Sequence, residues 1–127
     1  MNAYLIDPFT QTITQVEYDG KIDSIYAMIG AELFDCVTFN EHYDGVFVDD
    51  EGLYKTDQAF FRLHRNNEVV LAGKGLVLGC DVETGESRSP IISLDEMKKL
   101  VDFVQPVRIG ERGTVVFVPA APPVGTP

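Results

Sequence analysis

Residues 69–82 read VVLAGKGLVLGCDV, an apolar run interrupted by Gly73, Gly75 and Gly79. Glycine weakens the interior of a strand but allows another part of the backbone to come close. The run is therefore expected to be strand pieces around a bend or bulge, which makes the middle of the chain β-structure. The segments on either side carry the same signal. Residues 3–6 (AYLI) and 12–18 (TITQVEY) read as strands joined by a turn at 7–11. In that turn Pro8 has its φ pre-set, and Asp7 can bond the backbone two residues on. Ile13 and Val16 break strict alternation, so a bulge or a face switch is expected in the second strand.

Residues 33–39 (LFDCVTF) are rich in β-formers and lead through the polar turn NEHYDG into a strand over 43–48. The following D-D-E-G, residues 49–52, reads as a turn whose glycine takes positive φ and closes a hairpin onto Leu53 and Tyr54. Residues 56–67 (TDQAFFRLHRNN) fit either a helical turn through Ala59, Phe60 and Leu63 or an alternating strand. Residues 84–87 are a polar turn. A last hairpin pairs Arg108 and Ile109 with residues 114–118.

Two segments carry helix signals. Ile22, Ile25 and Ile29 recur at helical spacing, with Asp19 available as N-cap and Gly30 as the left-handed terminator. Ser93 and Glu96 form a capping box flanked by the hydrophobic staple Ile92 and Met97. Leu94, Met97, Leu100, Val101 and Val104 then line one face until Pro106 stops the helix. The expected fold is α+β: a single domain over residues 1–118, mainly antiparallel sheet built from hairpins. Its two helices are placed at about 21–29 and 94–104. A Pro-rich flexible tail is expected over 119–127.

A chain of 127 residues can bury one core without disulfides or a structural metal. Its longest apolar runs are far too short to cross a bilayer. The stretch MNAYLIDPFT lacks the basic and long apolar regions of a signal peptide, so a cytoplasmic location is expected. Cys36 and Cys80 are then expected to be reduced thiols, and no closely spaced Cys/His pairs suggest zinc.

The formal charge of −10 is uneven. Residues 1–60 hold Lys21 and Lys55 against twelve acids, whereas residues 61–127 hold eight bases and eight acids. Direct binding to nucleic acid wants a basic face and is not expected. An acidic face that attracts a basic protein partner fits the distribution.

The motifs that might carry chemistry break under inspection. Asn40, His42, Asp44, Gly45 and Glu51 echo the spacing of a calcium loop, but a neutral amide stands first and an imidazole third, between strand-like flanks. Asp49, Asp50 and Glu51 are neighbours along one chain and so cannot chelate together. Gly73 and Gly75 open a dinucleotide-like fingerprint in which Leu78 stands where the third glycine belongs. His42 and His64 read as surface or sheet-edge residues. Phe47, Tyr54, Phe60 and Phe61 either fill the core or add aromatic area to the acidic face. No catalytic residue, cofactor or metal ligand is assigned.

Three stretches, YLIDP at 4–8, VFVDDEGL at 46–53 and AGKGLVLG at 72–79, carry a likeness over roughly residues 3–80. On them the chain resembles small acidic proteins encoded by phages and plasmids, catalogued as a domain of unknown function. The resemblance implies no chemistry, but it implies a mobile-element accessory protein of a kind that often acts by binding a host factor.

The expected function is therefore a non-enzymatic interaction protein that meets a basic surface on a host protein, as an inhibitor or a DNA mimic. Asp44, Asp49, Asp50, Glu51 and Tyr54 are the expected face. Two other readings are a small-ligand or hydrolytic domain using Asp49, Asp50 or Glu51 with His42, and a structural or virion-associated subunit.

Overall fold

The computed structural model describes residues 1–52, 58–64 and 69–122. In chain order the elements are β1 (Asn2–Asp7), β2 (Thr12–Glu17), α1 (Ile22–Ile29), β3 (Phe34–Thr38), β4 (Asp44–Asp49) and β5 (Phe60–Leu63). They continue with β6 (Val69–Ala72), β7 (Gly75–Cys80), β8 (Ser87–Arg88), α2 (Leu94–Leu100), β9 (Val101–Ile109) and β10 (Thr114–Pro119). Two antiparallel sheets result. The larger, sheet A, runs β2-β1-β7-β4-β3 with β8 paired to the end of β7, and the smaller, sheet B, runs β10-β9-β5-β6. The α+β reading, mainly antiparallel with two helices, is the observed fold.

The glycine-interrupted run at 69–82 is where the chain changes sheets. β6 closes the edge of sheet B, and β7 enters the middle of sheet A. Gly73 between them takes φ +81°, which glycine adopts without steric cost. Gly75 lies where the layers meet: a Cβ there would sit 2.7 Å from Val46 Cγ2 and 2.9 Å from Phe61 Cζ. β7 is buried from Gly75 to Gly79 because sheet A is covered on both faces.

One core joins Tyr4, Ile6, Ile13, Val46, Val48 and Val77 of sheet A to Phe61 and Leu63 of sheet B and Met97 of α2. A second joins Ala3, Leu76 and Leu78 on the opposite face to Ile25 and Ile29 of α1. Double coverage also explains the broken alternation of β2. Ile13 points into the first core and Val16 into the second. The register with β1 runs without slip from Asn2↔Glu17 to Asp7↔Thr12, so the expected bulge does not form.

Several local expectations are corrected. Asp19 is not the N-cap of α1. That position is Lys21, and Asp19 braces it from two residues upstream by accepting from Lys21 N at 2.9 Å and Ser24 Oγ at 2.7 Å. Gly30 does end the helix, at φ +67°. Ser93 caps α2 by accepting from Glu96 N at 3.1 Å, but the helix stops at Leu100 rather than 104. Val101 to Val104 instead pair with β5, where cross-strand burial outweighs the helical spacing of the valines. Pro106 lies beyond the last β5 pair, Phe60↔Val104, where β9 pairs on one edge only and a missing N–H is tolerated.

Pro119, Ala120 and Ala121 are tied to the sheet. Pro119 pairs with Val104, Ala120 N donates to Phe103 O at 2.9 Å, and Gln11 donates to Ala121 O. Among the described residues no helix is long and apolar enough to cross a membrane.

Candidate functional site

Strand β4 has acids at both ends. At its start, residues 40–43 curl around Asn40, whose Oδ1 accepts from the amides of His42 and Asp44, each at 3.0 Å. Tyr43 is held at φ +64°, a left-handed conformation uncommon for a bulky residue. The curl turns Asp44 inward until it is fully buried. Its carboxylate accepts from Asn40 Nδ2 at 2.9 Å, Arg88 Nη1 at 3.2 Å, Ile91 N at 3.0 Å and Ile92 N at 2.9 Å. Burial pushes the carboxyl upward, but the hydrogen bonds from Asn40, Ile91, Ile92 and Arg88 outweigh it and hold the pKa below the ordinary value.

Arg88 also donates to Ser89 O at 2.9 Å and to His42 O. Its guanidinium crosses β7 at Gly79, where a Cβ would lie 1.9 Å from Nη1. Asp44 thus ties β4, β8 and the approach to α2 together. It is an internal anchor and cannot be part of the exposed face on which the sequence placed it. The calcium-loop echo has the same origin, because the Asn40 and Asp44 oxygens are engaged by protein donors.

At the other end, Asp49 Oδ1 accepts from Glu51 N at 2.9 Å, and Asp50 N donates to Leu33 O at 3.1 Å. Asp50 and Glu51 are exposed. Gly52 does not take positive φ. It is needed for a close approach, since a Cβ would lie 2.9 Å from Ala72 O of β6. Leu53 and Tyr54 lie outside the described residues. Val46 and Phe47 pair with β3 on one side and β7 on the other. Asp49 and Asp50 instead join Asp35, Val37 and Leu71 around a groove of 170 Å³.

His42 does not meet these acids. It precedes Asp44, and the length of β4, about 17 Å, lies between that end and Asp49. Its imidazole approaches Glu41 at 3.8 Å. His64 has a partner the sequence reading missed, because Asp102 of β9 reaches both His64 Nε2 and Arg62 Nη2. The alternation in FFRLHR, which puts Arg62 and the residue just past the end of β5, His64, on one side of the chain, was the available signal; the register that brings Asp102 opposite Arg62 was not readable. Among the aromatics, Phe61 is in the core, Phe47 packs edge-on to Phe34 at 5.2 Å, and Phe60 meets Phe117 at 5.6 Å.

Cys36 and Cys80 are free thiols. β4 separates their strands, a spacing of about 9.6 Å that exceeds disulfide reach. The Cys36 Sγ is turned over Gly45, 2.7 Å from where a Cβ would sit. Burial of the thiol, then the charges of Asp35 and Cys80, push its pKa up to about 11.

A family described as a domain of unknown function, DUF3846, matches residues 1–105. The chain belongs to this family. The DUF3846 match takes in sheet A, α1, α2 and most of sheet B, leaving β10 beyond its end. No curated protein and no solved structure matches the chain significantly.

The fold of this DUF3846 member gathers the excess negative charge on one layer. Glu17, Asp19, Asp23, Glu32, Asp35, Glu41, Asp50 and Glu51 are exposed on the layer of sheet A and α1. The β7–β8 hairpin, remote in sequence, adds Glu83 and Glu86. Lys21 is exposed there, while Arg88 is turned onto Asp44. The exposed bases Lys98, Lys99, Arg108 and Arg112 belong to α2, β9 and the β9–β10 turn, in the other layer, where the exposed acids Asp95, Glu96 and Glu111 nearly balance them.

The acidic layer also holds a cavity of 590 Å³ beside α1, whose walls include Tyr18, Ile22, Ile25, Phe34, Phe47 and Glu86.

Proposed function

We propose that this protein is a non-enzymatic interaction module that binds a basic surface on a protein partner through the layer formed by sheet A and α1. The observation that carries this reading is the excess of exposed acids over exposed bases on that layer, whereas the other layer is nearly balanced. Carboxylates spread over one layer, with few local cations, make a negative potential that steers a basic partner and rejects an acidic one. The resemblance to phage and plasmid accessory proteins supports a host protein as that partner. Asp49, Asp50 and Glu51 belong to the proposed face, and Asp44 does not.

The test is capture of partners from a lysate of the producing organism at low and high salt. Alongside the wild-type bait runs a variant with Asp50→Lys and Glu51→Lys. The reading expects basic proteins on the wild-type bait that are lost at high salt and depleted on the variant. Partners that are acidic, or that stay bound at high salt, would overturn it.

A further inference from the structure

We infer that the cavity beside α1 receives an apolar side chain of a protein segment that carries lysine or arginine on either side of it. This rests on the proposed basic partner and states where that partner is anchored. The cavity, at 590 Å³, falls within the size range of pockets that hold ligands. Its lining is largely apolar: Phe34 and Phe47 meet edge-on at 5.2 Å, and Ile25 is buried. Ile22, a first-turn helix residue that also lines it, is 59% exposed although the same helix buries Ile25 and Ile29.

The rim supplies the occupant's chemistry. Glu86 lines the cavity, and of the exposed charges next to the lining residues Tyr18, Gly20 and Ile22 in the chain, Asp19 and Asp23 are acidic and Lys21 is basic. The nearby amino group of Met1 is engaged by Tyr18 O at 3.0 Å and Glu17 at 3.6 Å. Carboxylates outnumber cations around the cavity, so an anionic ligand is disfavoured, whereas a cationic segment with an apolar centre matches both the apolar lining and its surroundings. An apolar anchor in a pocket, with polar groups at the rim, is the usual anatomy of a protein–protein contact.

The test is an amide-resolved NMR titration of the full chain at low salt with three synthetic peptides. The first is Arg-Lys-Leu-Phe-Lys-Arg, the second has alanine in place of the leucine and phenylalanine, and the third has glutamate in place of the four basic residues. The inference expects the first peptide to shift the amides of Ile22, Ile25 and Ser87 and to bind about tenfold tighter than the second. It expects no shifts from the third. Ile22→Lys, at an exposed position, should lose that tenfold preference while keeping the circular dichroism of the wild type. Equal binding of the two basic peptides would overturn the cavity as anchor and leave the charge-based reading standing. Binding by neither basic peptide would overturn both. Binding by the glutamate peptide at the cavity would overturn the basic occupant and point to an apolar ligand of another kind.

Discussion

The two ends of β4 carry the same functional group in opposite circumstances. Asp44 is fully buried and accepts hydrogen bonds from Asn40, Arg88, Ile91 and Ile92, whereas Asp50 and Glu51 stand in solvent on a corner braced by backbone contacts. The difference shows that a net charge read from a sequence mixes carboxylates that hold a fold with carboxylates that face a partner. Only the second kind can act at a distance, and only the first leaves the fold incomplete when removed.

The largest expected effect lies at the buried end. Asp44→Ala leaves the Arg88 guanidinium and two backbone amides without their acceptor, and should cost about 3–5 kcal/mol by urea denaturation. Asp50→Asn on the corner should stay within about 0.5 kcal/mol of wild type. Equal costs at the two sites would break the comparison.

Gly79→Ala comes next. Its methyl would meet Arg88 Nη1 at 1.9 Å, so the guanidinium must leave Asp44 or the strand must shift, at about 1–3 kcal/mol. In an Arg88→Ala background that penalty should shrink, and a double-mutant cycle measures the coupling. An unchanged penalty would place the strain elsewhere in β7.

The pH dependence sharpens the same contrast. The folded-state pKa of Asp44 lies below its ordinary value of 3.8. Its contribution is therefore complete above 3.8 and is lost as pH falls through the folded value. The stability gap between wild type and Asp44→Asn should be constant near neutrality and close in strong acid. A gap that closed between pH 5 and 7 would contradict the direction of the shift.

The smallest effect concerns the thiol over Gly45. With its pKa pushed up to about 11, Cys36 in a Cys80→Ser variant should react slowly with iodoacetamide at neutral pH. Its rate should keep climbing steeply above pH 10. A rate that levels off by pH 10 would place the thiol in an ordinary environment.

The sequence disclosed those features that depend on near neighbours. The Asp7 turn, the Gly30 terminator, the Ser93 cap and the glycine break at Gly73 each rest on residues a few positions apart, and each formed. It misled where a distant strand decides. Val101 and Val104 have helical spacing, but β5 offered them a partner and α2 ended early. Asp44 looked like one more surface acid because its partners Arg88, Ile91 and Ile92 lie more than forty residues away. Gly52 and Gly79 were legible as glycines but not for their reason, which is the close approach of Ala72 and of Arg88. The charge asymmetry was legible from the start. Its concentration on the layer of sheet A, with Glu83 and Glu86 joining from the β7–β8 hairpin, needed the topology.

The most direct test of the central claim, that the exposed acids of the sheet A layer bind a basic partner, is the salt dependence of capture by wild type and by the Asp50→Lys, Glu51→Lys variant. Both baits should have the same urea midpoint, with the basic partners retained by wild type at low salt, released at high salt and depleted on the variant. The same partners held by both baits at every salt concentration would contradict the account.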